Sequence, residues 1–267
     1  MTSACIRLER EGDIALAIFD NPARLNPLTE ELQSGLRDVL AQVRADRSMR
    51  ALVLTGEGKG FCVGADLSSM RPEAGDDLSL GQRTGDTMER LSNRLITDLQ
   101  ELPVPVVTAV NGPTAGAGVG LALAADVVIA ARSAYFYLPF IPRLGILPDL
   151  GTTWFLERRI GHARAMALTL LGERLSGEQA VQWGLAWACV DDAALRQEAT
   201  RVAHRLALLP AHGVLEVRRA YAAAGANTLQ AQLAYERERQ RELIDRPEFA
   251  EGVRAFLEKR DPVFPDR

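Results

Sequence analysis

At 267 residues with 47% hydrophobic content, the chain is long enough to bury a sizeable core, and its composition is not that of a disordered polymer. Its 31 basic and 35 acidic residues leave a net charge of −4, scattered along the chain, which argues against a general nucleic-acid surface. Cys5, Cys62 and Cys189 are too few and too widely spaced for a disulfide framework or a cysteine zinc site, so a cytoplasmic setting is expected, with no export signal at the N-terminus.

Ile6 and Leu8, then Ile14, Leu16 and Ile18, alternate on either side of "EREGD", which predicts an opening β-hairpin. After the interruption "NPARLNPL", Thr29 caps a helix to about Arg47 with Leu32, Leu36, Val39, Leu40 and Val43 on one face. "RALVLTG" follows as a buried strand. Residues 68–84 are polar and glycine-containing and are expected to form a mobile loop ahead of a helix from about Asp86 to Glu101.

The stretch Leu102–Ala125 carries no charge and has the length of a membrane span, but Pro103, Pro105, Pro113 and Asn111 divide it into a strand, a turn and a helix. "DVVIAA" supplies a further strand. "HARAMALTLLGERL" reads as a helix, Ser176 and Gln179 as a capping box, and the last 70 or so residues as a helical appendage. The faces carrying Leu195, Val202, Leu206 and Leu209 must pack on the core or on another subunit.

Two strand-to-helix turns are rich in glycine: "TGEGKGFCVGADL" (55–67) and "NGPTAGAGVG" (111–120). The second has the spacing G-x-G-x-G, not the G-x-G-x-x-G of dinucleotide sites. Such turns bring backbone N–H groups close to a developing negative charge, with the helix dipole assisting. An oxyanion hole built from both turns fits.

These two segments resemble the signatures of the crotonase superfamily, the enoyl-CoA hydratases and isomerases, and the resemblance runs from the opening hairpin to "EGVRAFLEKRDPVF" (251–264). It implies an α/β fold: a crotonase-like spiral of ββα turns over 1–195, with a helical C-terminal region, 196–267, that builds trimers or dimers of trimers. It implies an acyl-CoA thioester substrate, no cofactor beyond the coenzyme A of that substrate, no metal, and neither nucleic acid nor membrane as partner. The N–H groups of Ala65 and Ala117 match the family's oxyanion hole. Arg24 and Leu25 in "NPARLNPL", the run Ala65, Asp66 and Leu67, and Lys259 near the C-terminus match its CoA-binding positions; Arg24 and Lys259 read equally well as solvated charges.

A hydratase needs one carboxylate to hold and deprotonate water and another to protonate carbon. Aligned on the family, this chain has Gly120 at the first position and Phe140 at or next to the second. Asp149, in "LGILPDLGTTW", falls where isomerases of the Δ3,Δ2-enoyl-CoA type carry a single acid. The run from Leu144 to Asp192 resembles the phenylacetate-pathway branch, which converts ring-1,2-epoxyphenylacetyl-CoA to oxepin-CoA. The expected function is therefore CoA-thioester isomerisation; the alternatives are a hydratase using another acid, such as Glu157, and a catalytically silent CoA-binding subunit.

Simpler roles stand beside these. Asp149 could cap the helix starting near Gly151, Asp66 a helix start, and Asp126 reads as structural. Cys62 has no histidine in either signature segment to activate it. His162, His204 and His212 lack metal-ligand spacing. Tyr135, Phe136, Tyr137 and Phe140 could be core or the wall of an acyl pocket.

Overall fold

The computed structural model describes residues 5–68, 70–71 and 77–264. The predicted hairpin forms from β1 (Ile6–Glu11) and β2 (Ile14–Phe19), paired antiparallel with Ile6 opposite Phe19. Every residue of β2 is buried, because it lies inside a sheet covered on both faces. Parallel to it run β3 (Ala51–Gly56), β4 (Val106–Val110), β6 (Val127–Ala131) and β9 (Ala188–Val190), giving one sheet in the order β1-β2-β3-β4-β6-β9. A second, smaller sheet, unforeseen from sequence, joins β5 (Pro113–Ala115), β7 (Tyr135–Tyr137) and β8 (Arg174–Ser176) in the order β5-β7-β8. Its strands are three residues long, too short for any periodicity to reveal.

The helix α1 (Glu30–Ala45) begins as read: the Thr29 hydroxyl accepts from the Leu32 N–H, and Leu32, Leu36, Val39, Leu40 and Val43 are buried. The expected loop over 68–84 is cut short. Ser69 and residues 72–76 lie outside the described residues, and α2 (Leu80–Thr87) starts well before Asp86 because Ser79 and Gln82 form a capping box. A π-helical turn, Met88–Ser92, joins it to α3 (Asn93–Gln100).

Leu102–Ala125 divides as expected, into β4, β5 and α4 (Ala117–Leu123). Among the described residues no helix is long and apolar enough to cross a membrane. The helix expected from His162 instead starts ten residues earlier, as α5 (Thr152–Leu171), with a break at Gly161 (φ 75°, ψ 163°). Arg174–Ser176 leaves it to become β8. Ser176 then caps α6 (Gly177–Trp183) with the predicted Ser176–Gln179 box.

The chain passes the expected 195/196 boundary within one helix, whose apolar face packs on the core as the sequence allows. The helix α7 (Leu195–Ala207) packs on β2, β3, β4 and β6 with Leu195 and Val202 buried, and so belongs to the core. The helices α8 (Gly213–Ala224), α9 (Leu229–Ile244) and α10 (Pro247–Glu258) form the helical region proper. Ala255 is the buried residue there, while Leu209, also assigned to a packing face, is exposed.

Candidate active site

The two glycine-rich turns, some fifty residues apart in sequence, touch. The Ala115 N–H donates to the Cys62 carbonyl at 3.0 Å, and Cys62 and Thr114 form a parallel bridge. Gly64, at φ 83°, approaches so closely that a Cβ there would stand 2.8 Å from the Ala115 carbonyl oxygen and 3.1 Å from the Ala117 nitrogen. A Cβ on Gly118 would lie 2.2 Å from the Cys62 carbonyl oxygen. The glycines are therefore the condition for two backbones to meet.

At this junction Ala65 is exposed and Ala117 is 3% exposed. Neither N–H has an acceptor among the described residues. A buried N–H without an acceptor is rare in folded proteins, and at Ala117 it is the first residue of a helix only seven residues long. The macrodipole of so short a helix is small, so any attraction for an anion here would come from the N–H group itself.

Two asparagines that sequence reading left without a role hold the first turn. Asn26, fully buried at φ 56°, donates to the carbonyls of Glu57 (3.1 Å) and Gly60 (2.8 Å) and accepts from the Asn21 N–H (2.8 Å). Asn111 accepts from the Gly56 N–H (3.1 Å) and donates to the Gly58 carbonyl (3.0 Å). The Leu28 N–H donates to the Gly64 carbonyl at 2.8 Å, so "NPARLNPL" is tied to the same turn.

Within that tie, Arg24 lies beside Asp66 at 2.7 Å, and Leu25, in the left-handed region at φ 57°, packs on Gly60. Asp66 accepts from the Ser68 N–H and hydroxyl at 3.1 and 2.6 Å; those bonds, with Arg24, hold its carboxyl below the usual range. It closes a local turn, a correction to the expected helix cap. Leu67 is exposed. Lys259 ends α10 with an exposed side chain; within the single chain no hydrogen bond or ion pair brings it to Arg24, Ala65 or Asp66.

Asp149 stands just before two left-handed residues, Leu150 (φ 49°) and Gly151 (φ 72°), and its main-chain carbonyl accepts from the Thr152 N–H at 2.9 Å. The start of α5 has no side-chain cap, so the carboxyl group does not serve as one. Its Oδ1 is buried without a hydrogen-bond partner among the described residues, and burial pushes the acid up to about 6. No charged side chain contributes to that shift.

Phe140 is buried, with its ring tip 3.8 Å from where a Gly116 Cβ would stand, so an aromatic side chain lies against the second turn. Phe136 belongs to the core, and the Tyr137 carbonyl accepts from the Gly116 N–H at 2.9 Å. The fallback acid Glu157 is exposed on α5 beside His162. Asp126 is structural: it accepts from the Val106 N–H at 2.7 Å and from Arg218 at 2.7 and 2.6 Å. The Cys62 thiol is packed and pushed up to about 12 by burial. Among the described residues no His, Cys, Asp and Glu cluster could hold a metal.

The fold has many counterparts among solved structures. The family model for enoyl-CoA hydratase/isomerase matches residues 9–267. The chain belongs to that family, the crotonase superfamily, and is an enzyme of acyl-CoA thioesters. It is 44% identical to the 1,2-epoxyphenylacetyl-CoA isomerase of Escherichia coli, over 95% of each chain. It is 40% identical over the full length of both to a Rhodobacter capsulatus protein named "Probable enoyl-CoA hydratase". Among solved structures, an enoyl-CoA hydratase from Polaromonas sp. JS666 superimposes with a TM-score of 0.89 at 31% identity, covering 97% of this chain and 99% of that one.

Proposed function

We propose that the protein is a CoA-thioester isomerase. The observation that carries this is the Asp149 carboxyl group, largely buried with its Oδ1 unpartnered among the described residues, in a chain that has Gly120 at the first position a hydratase gives to a carboxylate and Phe140 at or next to the second. In this reading the thioester oxygen accepts from the Ala65 and Ala117 N–H groups. Asp149 removes a proton from C2, the two N–H groups stabilise the dienolate, and the same acid returns the proton at C4, moving a Δ3 double bond to Δ2. With ring-1,2-epoxyphenylacetyl-CoA, the reactant named for the Escherichia coli relative, ring expansion to the oxepin needs no net proton movement, and the oxyanion pair carries most of the stabilisation.

Arg24, Leu25, Asp66 and Leu67 line the stretch that would hold the CoA nucleotide, with Arg24 as the phosphate cation, and Lys259 would reach it from another copy of the chain. That copy is part of the proposal: a homotrimer, alone or as a dimer of trimers, would cover the apolar faces of α8, α9 and α10. The test is turnover of trans-3-hexenoyl-CoA beside the phenylacetyl-CoA epoxide, with crotonyl-CoA as the hydration control, read by mass and ultraviolet spectra. Asp149→Asn should lose double-bond isomerisation by ~10²–10⁴-fold with CoA-ester binding retained. Rapid crotonyl-CoA hydration would favour the hydratase reading, which the name of the Rhodobacter capsulatus relative keeps open.

A further inference from the structure

Gly120 does more than lack a carboxylate. A Cβ at this buried residue of α4 would stand 2.7 Å from the Leu150 carbonyl oxygen, 3.0 Å from the Leu150 Cβ and 2.6 Å from the Thr152 Oγ1. The turn that follows Asp149 is therefore set directly against the α4 backbone, in the volume a side chain at 120 would need. That turn is strained, with Leu150 left-handed at φ 49°, an uncommon state for a residue with a branched side chain. It persists because it is packed in: Leu150 is 4% exposed and Thr152 is fully buried, its Oγ1 without a hydrogen-bond partner among the described residues.

We propose that Gly120 is a positioning residue for Asp149: the bare α4 backbone at 120 is the seat on which the 149–152 turn rests, and any side chain there lifts the turn and moves the acid. An acidic side chain at 120 and the present Asp149 turn are then mutually exclusive, since both need one volume. A single substitution to glutamate cannot add hydratase chemistry while keeping isomerase chemistry. The inference rests on Asp149 being the isomerase acid.

The test compares wild type, Asp149→Asn, Gly120→Ala and Thr152→Val on trans-3-hexenoyl-CoA across pH, after circular dichroism and oligomer size have established folding. Alanine suits a helix better than glycine, so α4 itself tolerates the change. Gly120→Ala should lower kcat by about 10- to 100-fold, the scale of a displaced catalytic group, with KM little changed. The acid limb of its pH–rate profile should move to lower pH, because a lifted carboxyl group regains water. Thr152→Val is close in shape and gives up no hydrogen bond. It puts a methyl group in place of a hydroxyl against Gly120 and should show the same signature more weakly, several-fold in kcat, so the proposal remains testable if Gly120→Ala does not fold.

Wild-type kcat and an unmoved acid limb in whichever of the two variants folds would overturn the seat while leaving Asp149 as the acid, provided Asp149→Asn is inactive. An active Asp149→Asn would instead overturn the assignment of the acid itself. A folded Gly120→Glu enzyme that hydrates crotonyl-CoA and isomerises at wild-type rate would refute the exclusivity.

Discussion

Asp149 is held in a state that costs stability, and that cost is measurable. Its carboxyl group is raised from 3.8 to about 6 by burial, so the proton binds the folded protein more tightly than the unfolded one. The protonated acid's contribution is therefore complete below the unfolded value and lost as pH rises through about 6. Above that pH the wild type carries a buried carboxylate with one unpartnered oxygen, and Asp149→Asn does not. At about pH 8 the variant should be more stable in thermal or urea unfolding, by up to about 2–3 kcal/mol, with the gap closing below about pH 4. A variant less stable at high pH would mean that the carboxylate has a partner. In the proposed mechanism the same titration sets the rate: proton removal from C2 needs the carboxylate, so kcat/KM for 3-enoyl-CoA should fall as pH drops through about 6 and be flat above it until another group titrates.

At the scale of elements, the pairing of α4 with α5 frames the proposed site, since α4 begins with the Ala117 N–H and α5 follows the Asp149 turn. Their register is locked at the far end by Arg159 of α5, which donates to the carbonyls of Leu123 (2.7 Å) and Ala125 (2.8 Å), the open end of α4. Burial lowers the pKa of this guanidinium, yet it stays charged, paired with carbonyl oxygens that have no helical donor of their own. Arg159→Met should keep most of the packing and orphan those carbonyls, destabilising by about 2–3 kcal/mol and lowering Tm by several degrees. It should also reduce isomerisation out of proportion to CoA-ester binding, because the proposed acid and oxyanion donor lose their common frame. Circular dichroism melting with steady-state kinetics would check both. Ala117→Pro probes the other end: it removes the proposed donor, and in a folded variant both alkene and epoxide turnover should fall by on the order of 10²–10³-fold.

Over the whole molecule, the C-terminal helices leave large apolar side chains uncovered, among them Tyr221, Leu229, Leu233, Phe256 and Leu257, with Phe256 83% exposed. Beside them Phe249, Val253 and Phe264 help line an apolar groove of about 430 Å³. Exposed large apolar side chains on all three helices, four of them around one groove, are what an interaction surface presents. The chain should run as an oligomer in light-scattering chromatography, and the double variant Phe256→Asp, Leu257→Asp should release smaller species. A wild type that elutes as a monomer would contradict the trimer proposed above.

Much of this was legible in the chain. Period-2 and period-3.6 patterns marked the hairpin, α1 and the buried strands, since one-sided burial imposes those repeats. The glycine spacing marked both turns, because only glycine lets backbones meet as Gly64 meets Ala117. The lone acid stood out against Gly120 and Phe140. What no local pattern encodes was decided by the tertiary structure. The β5-β7-β8 sheet consists of strands too short to show a period, and α7 belongs to the core because it covers β2, β3, β4 and β6. Asn26, Asn111 and Arg159 act on backbone groups remote in sequence, 31 residues away for Asn26 and Glu57, so their roles exist only once the chain has closed. The same holds for Asp149. Its type and place were written in the sequence, but whether it capped a helix or kept a buried oxygen without a partner was decided by the left-handed turn at Leu150 and Gly151, which packs against the bare backbone of Gly120.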